Sequence, residues 1–240
     1  MKKFVVVTDF DGTLMEQDVS DAIMEALGID RTPELQAVVE RIWAGAAGSK
    51  EWLTTGYRMV EGRQAEVDEV LKGIVPRAGA HDLVDFCQAR GIQLVVLSDG
   101  MEYYIEHLMA KHELVADEVI VNPIRFEADG SFTLELQNRN VACSWCGCCK
   151  ADVVRQWRAE GAHIIYIGDG FSDMFGSMFA DTVFARSSLA RYLQEQGQPY
   201  YPFETFHDVL KVLGPIVDES NQALKERVNR VHPFCKFATD

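Results

Sequence analysis

The chain has no long hydrophobic run, no cluster of basic residues, no internal repeat and no low-complexity tract. Each absence excludes a class of function. Spanning a bilayer takes roughly 18 or more consecutive apolar residues, and no window approaches that, so the membrane is excluded as a partner. The first apolar run, Phe4–Val7, follows Lys2 and Lys3 but stops before Asp9, too short for the apolar region of a secretory signal. The expected location is the cytoplasm. Cations are scarce: 23 Lys and Arg stand against 37 Asp and Glu, a formal charge of −14. Binding to phosphate backbones draws on clustered Lys and Arg, so nucleic acid is excluded as well. The acidic surplus is most simply a solvated face that keeps the chain in solution. A disulfide frame is not expected either, because four of the six cysteines (Cys143, Cys146, Cys148 and Cys149) crowd into seven residues. Cys87 and Cys235 stand alone and read as packing residues.

What is present is an ordinary globular composition, 48% hydrophobic and 25% charged over 240 residues, enough for one large domain or a core with a smaller companion. Three short β-branched runs, Phe4–Val7, Ile92–Leu97 and Ile164–Ile167, predict strands buried on both faces, as in a parallel sheet covered by helices. Each is followed at once by polar residues and glycine: Thr8-Asp9-Phe10-Asp11-Gly12, Ser98-Asp99-Gly100, and Gly168-Asp169-Gly170-Phe171-Ser172-Asp173. Ligands bind beyond the carboxyl ends of strands in open α/β sheets, so the three clusters are expected to converge.

Between Leu14 and Gly79 no comparable strand occurs, and apolar residues recur at helical spacing, as in Ala22-Ile23-Ala26-Leu27. The expected architecture is α/β, a Rossmann-like three-layer parallel-sheet core (residues 1–14 and 79–240) with a small helical cap at 15–78, inserted after the first strand. Helices are predicted near Ala80–Arg90 with Gly91 as the stop, and over Met101–His112, Lys150–Glu160 and Asp173–Ala180. Glu118–Val121 and Thr182–Ala185 read as further strands. Ile124–Phe126 and Phe132–Leu136 read as a hairpin around Asp129-Gly130, and Asn221–Asp240 as a polar helix with a loose tail.

Asp9 and Asp11 at one strand end are poor core residues, since burying unpaired ionised groups is costly. With Asp169 and Asp173 they form a set of carboxylates without histidine, which suits a hard, oxygen-preferring cation such as Mg²⁺. Ser98 would add a hydroxyl, Asp99-Gly100 backbone amides, and Lys150 a fixed positive charge at a helix start. Metal, lysine, hydroxyl and amides together describe a receptacle for a phosphoryl group, whose transfer is catalysed mainly by positioning and charge.

In order and spacing, Asp9-Phe-Asp11-Gly-Thr13, Ser98, Lys150 and Gly168-Asp169-Gly-Phe-Ser-Asp173 resemble the four motifs of the haloacid dehalogenase superfamily. The resemblance implies that Asp9 is a nucleophile forming an aspartyl-phosphate and that Asp11 is the acid and base. It implies Mg²⁺ held by Asp9, the Asp11 carbonyl and Asp169, with Asp173 in support, and phosphoryl oxygens held by Ser98 and Lys150. Asp11 further favours phosphate esters, because a halide leaving group needs no acid.

A helical insert directly after the first motif resembles the phosphoserine phosphatase-like branch, in which substrate side groups meet the cap. Asp18 and Arg58 are candidates there, although solvated surface charges would look the same. Cys143-Ser-Trp-Cys146-Gly-Cys148-Cys149-Lys150 is similar to the corresponding segment in phosphatases of the methionine-salvage enol phosphate. Asp99 departs from the glycine expected after the motif serine there, and an acidic residue could favour a cationic or hydroxylated substrate. The implied partner is a small phosphorylated metabolite: the salvage enol phosphate, or phosphoserine, phosphocholine or a vitamin phosphate. A homodimer is compatible with the composition.

The cysteine cluster has three readings. Cys143 and Cys146 make half of a Zn²⁺ site, but adjacent Cys148-Cys149 is awkward for one ion. Small buried residues shaping the approach to Lys150 fit equally, and redox regulation is the third. Two other classes of function stay open beside the hydrolase: a non-catalytic metal or redox sensor acting through these thiols, and a phosphotransferase passing phosphate to a second alcohol.

Overall fold

A computed structural model describes residues 3–127, 131–218, 227 and 231–237. β1 (Phe4–Thr8) carries three fully buried valines. After a tight turn at Phe10–Leu14 come four helices: α1 (Val19–Ala26), α2 (Pro33–Trp43), α3 (Ser49–Arg58) and α4 (Gln64–Leu71). Their starts are locally encoded. Asp18 accepts the Asp21 N–H ahead of α1, and Thr32 accepts that of Leu35 ahead of α2, where Pro33 loses nothing in the first turn. A lone antiparallel bridge, Met15 to Pro76, brings the two ends of this helical segment together.

The chain continues through α5 (Ala80–Arg90), β2 (Gln93–Met101), α6 (Glu102–Lys111) and β3 (Glu118–Asn122). Gly91 ends α5 at φ +60°, a left-handed turn that glycine makes without strain. An antiparallel pair follows, β4 (Ile124–Phe126) and β5 (Phe132–Leu134), with Phe126 opposite Phe132. Then come α7 (Lys150–Ala159), β6 (His163–Gly168), α8 (Asp173–Gly176), β7 (Thr182–Ala185), α9 (Ser187–Glu195), β8 (Tyr201–Pro202) and α10 (Phe206–Asp218). No helix among the described residues is long and apolar enough to cross a membrane.

Six strands form one parallel sheet in the order β3-β2-β1-β6-β7-β8. Alternation along the central strands sorts their side chains into two cores. Val6, Val96 and Ile165 pack with Leu83 of α5, Leu108 of α6 and Leu213 of α10; Val5, Val95 and Ile164 pack with Val154 of α7 and Leu189 of α9. The three-layer α/β architecture expected from the continuous apolar runs is therefore present. The first core extends into the helical segment through Ile23, Leu53 and Leu71.

Three local expectations are corrected. β2 does not stop at Leu97 but runs to Met101, and its pairing with β3 slips between Leu97 and Met101. The Asn122 side chain, donating to the Asp99 carbonyl at 2.7 Å, holds the irregular stretch. The helix expected over Asp173–Ala180 is a short α8 followed by a 3-10 turn at Ser177–Phe179, under tight packing: a Cβ on Gly176 would meet the Tyr166 ring at 2.8 Å. Residues 231–237 are not helical. The Asp129-Gly130 turn, and most of the helix expected over Asn221–Asp240, lie outside the described residues.

Candidate active site

The strand order β2-β1-β6 sets Thr8 beside Val96 and Ile167, so the polar residues following all three strands face one another. The Asp9 amide still bonds the Ile167 carbonyl at 2.9 Å. Asp9 Oδ1 accepts from the Phe10 amide and from Lys150 Nζ, both at 2.8 Å. Lys150, at the start of α7 and 1% exposed, also donates to Asp173 Oδ1 at 2.8 Å. Asp173 is further held by the Tyr166 hydroxyl and by the amides of Asp169 and Gly170. Asp169 accepts from the Thr13 hydroxyl at 2.7 Å. A Cβ at Gly12, where φ is +67°, would sit 2.7 Å from Asp169 Oδ2, so only glycine fits.

Asp9, Asp169 and Asp173 each offer an oxygen within 4.8 Å of the others. Burial, reinforced by Asp173, pushes the Asp9 carboxyl well above the usual carboxylate range. Burial and then Asp173 also raise Asp169, to about 6. Asp173 is held below the ordinary value, since Lys150 and its hydrogen bonds outweigh burial, and the same carboxylates raise Lys150 against its own burial. One lysine thus faces four carboxylates, counting Asp11. An all-oxygen donor set with surplus negative charge fits a hard divalent cation. Asp9 and Asp169 are the residues with oxygens to spare, because Lys150 and the Asp169 amide already engage both oxygens of Asp173.

Opposite this cluster, Asp11 accepts from the Ser98 hydroxyl at 3.0 Å, the Tyr104 hydroxyl at 2.8 Å and the Val19 amide at 3.1 Å. Ser98 also accepts the Gly100 N–H at 2.9 Å. Asp9, Asp11, Asp169, Ser98, Asp99 and Gly100 line a cleft of about 210 Å³, together with Asp18, Asp21, Trp52 and Phe171. That is below the roughly 300–1,000 Å³ of drug-sized pockets and suits a small metabolite. Asp99 Oδ1 accepts from the Cys148 amide, and burial raises this carboxyl against the hydrogen bonds from Ser49 and Cys148.

The site therefore brings together Asp9, Asp11, Ser98, Asp99, Gly100, Lys150, Asp169 and Asp173. Lys150 does not line the cleft; its ammonium is turned onto Asp9 and Asp173. Asp18 caps α1 and reaches the cleft edge. Arg58 does not arrive: it is exposed on α3, whose buried face carries Leu53, Gly56 and Tyr57. Sequence reasoning missed Tyr104, Tyr166 and Arg77. Buried Arg77 donates to the carbonyls of Gly12 and Thr13 at 2.7 and 2.8 Å and so clamps the turn carrying Asp11. Its only sequence signal was its place in Pro76-Arg77-Ala78-Gly79 at the end of the insert.

The Zn²⁺ and sensor readings of the cysteines are not supported. Among the described residues no three thiols lie within ligand distance of one another. Successive residues point in different directions, so Cys148 enters the core beneath α7 and α9 while Cys146 and Cys149 pack in a separate cluster with Phe175. Burial raises all three thiols, away from the thiolate that metal binding needs. Their burial agrees with the reading of small buried residues beside Lys150.

Residues 4–197 match the family model described as "Putative Phosphatase". The chain is 30% identical over 225 residues to 2-hydroxy-3-keto-5-methylthiopentenyl-1-phosphate phosphatase of Brevibacillus brevis, covering 91% of this chain and 98% of that one. Its counterpart in Geobacillus kaustophilus is 30% identical over 226 residues, covering 88% and 96%. Among solved structures, a phosphoserine phosphatase carrying a phospho-aspartyl intermediate analogue superposes with a TM-score of 0.65 at 19% identity, covering 88% of this chain and 99% of that one. A substrate-bound phosphoserine phosphatase complex gives 0.66 at 18%, with the same coverage. The fold is shared with both. With the family match spanning most of the chain and two curated relatives aligned almost end to end, the chain belongs to this phosphatase family.

Proposed function

We propose that the chain hydrolyses a small phosphomonoester through an aspartyl-phosphate on Asp9, with Mg²⁺ as cofactor. The observation that carries this is the Asp9–Lys150–Asp173 arrangement beside Asp169, with Asp11 facing it across the cleft. Lys150 and the Phe10 amide fix the Asp9 carboxylate through Oδ1, and one of its oxygens attacks phosphorus. As that P–O bond forms, the bond to the leaving oxygen breaks and Asp11 delivers its proton there. Asp11 then takes a proton from water, the water oxygen bonds phosphorus, and the bond to Asp9 breaks to release phosphate and restore the carboxylate. Ser98 and the Gly100 region hold phosphoryl oxygens, and Lys150 favours the ionised form of the nucleophile against burial and Asp173. Mg²⁺, held by Asp9, the Asp11 carbonyl and Asp169 with Asp173 behind, would neutralise charge on the phosphoryl group. Residues 15–78 act as the cap over this cleft.

The leading substrate is the enol phosphate named for the two curated relatives. A second class, cationic or hydroxylated esters such as phosphocholine or phosphoserine, is favoured by one feature: the Asp99 carboxyl in a wall shared with Asp18, Asp21 and Trp52. Turnover of a phosphomonoester panel with Mg²⁺ decides between them. The enol phosphate is expected to have the highest kcat/KM; preference for a cationic ester that disappears in Asp99→Asn selects the second class. No hydrolysis of any member overturns the phosphatase reading, and transfer to an added alcohol in place of water marks a phosphotransferase.

Mg²⁺ is expected to raise the melting temperature more at about pH 7.5 than at about pH 5. Asp169 lies above its unfolded value of 3.8, at about 6, so in the metal-free chain its contribution to stability is present below 3.8 and lost as the pH rises through about 6. A bound cation removes that penalty where the carboxylates are ionised. Equal shifts at both pH values, or loss of none of the shift in Asp169→Asn, would contradict this.

A further inference from the structure

Asp11 is held by a hydroxyl chain that crosses from the helical insert into the core. The Tyr104 hydroxyl lies 2.8 Å from Asp11 Oδ2 and 3.0 Å from Oδ1, on a ring that is 1% exposed. It is also 2.9 Å from Ser20 Oγ, which is 3.0 Å from the Tyr57 hydroxyl. Tyr104 donates its one proton to Asp11. Ser20 must then donate to Tyr104, and Tyr57 to Ser20. Hydrogen-bond donation thus runs one way, from α3 through α1 to α6 and on to Asp11. The hydroxyl has no slack: a Cβ on Gly100 would come within 2.0 Å of it and 2.5 Å of Asp11 Oδ2.

Ser98 has one hydroxyl proton as well, given to Asp11 Oδ2. Once that proton turns to a phosphoryl oxygen, the carboxyl keeps the Val19 amide on Oδ1 and Tyr104. We propose that Tyr104 is a positioning residue that aims Asp11 at the leaving oxygen, and that Ser20 and Tyr57 of the insert hold Tyr104 in place for it. This role of Tyr104 rests on the acid role proposed for Asp11.

The test compares two substrates with Mg²⁺. p-Nitrophenyl phosphate releases a phenolate that departs without a proton, whereas an alkyl phosphate needs the acid. Tyr104→Phe keeps the buried ring. Its loss in kcat is expected to be about tenfold or more greater toward the alkyl than toward the aryl ester, with little difference in KM. Ser20→Ala and Tyr57→Phe are expected to show the same selectivity in smaller degree. Equal losses on both esters, or no loss on the alkyl ester, would overturn the proposal, and Tyr57→Phe decides if Tyr104→Phe does not fold. Asp11→Asn separates the two levels. If Asp11→Asn is itself unselective, the acid role fails; if it is selective and Tyr104→Phe is not, only the Tyr104 inference fails.

Discussion

Asp9→Asn is expected to lower phosphomonoester turnover by at least about 10⁴-fold without unfolding the chain, because an amide of the same shape cannot attack phosphorus. The amide oxygen can still accept from Lys150 and from the Phe10 amide, so the local bonding survives. Burial and Asp173 hold the Asp9 carboxyl above its ordinary value, so ionising it at neutral pH costs stability in the metal-free chain. Removing the charge is therefore expected to leave the metal-free melting temperature unchanged or higher, while removing much of the Mg²⁺-dependent rise. Steady-state assays and melting curves with and without Mg²⁺ measure both. Activity within tenfold of the parent chain would exclude Asp9 as the nucleophile.

Lys150→Met is expected to have the largest effect on stability. The lysine is almost fully buried between Asp9 and Asp173, and its loss leaves buried carboxylates without their cation, at about 3–5 kcal/mol. At about 2–4 °C per kcal/mol for a chain of this size, the melting temperature should fall by roughly 10 °C. The sign of the pH dependence follows from the same groups. Asp173 lies below its ordinary value, so its contribution is present above the unfolded value and disappears as the pH falls through the folded one. Without Lys150, burial is left to raise both carboxyls, so the gap between parent and variant is expected to narrow from about pH 7 to about pH 4 as they take up protons. The Lys72–Glu69 pair is a control: both side chains are about 70% exposed, and Lys72→Met should leave the melting curve where it was. A Lys150→Met melt indistinguishable from that control would refute the buried ion-pair account.

Much of this site is legible in the sequence. β-Branched runs with no polar side, at Phe4–Val7, Ile92–Leu97 and Ile164–Ile167, have few stable homes other than the middle of a covered parallel sheet, and ligands gather at the carboxyl ends of such strands. Asp9, Ser98 and Asp169 can be placed together on that ground, and Lys150 and Asp173 through the spacing of the superfamily motifs. The Zn²⁺ reading, one of three, is not supported, because spacing along the chain does not say which way a side chain points. Cys148 and Cys149 are neighbours in sequence and belong to different hydrophobic clusters.

Arg58 marks the same limit on a helix, where its position relative to Tyr57 sends it to solvent while Tyr57 is buried. The strand ends and their carboxylates follow from local pattern, because hydrophobic period and backbone chirality act over a few residues at a time. The partners of those carboxylates do not. Tyr104 meets Asp11 across 93 residues of chain and Arg77 meets Gly12 across 65, and neither leaves a periodic or spaced trace in the sequence. Those contacts arise from how the helices seat on the sheet, since a polar group entering a close-packed core must find its partner wherever the packing of the layers has put one.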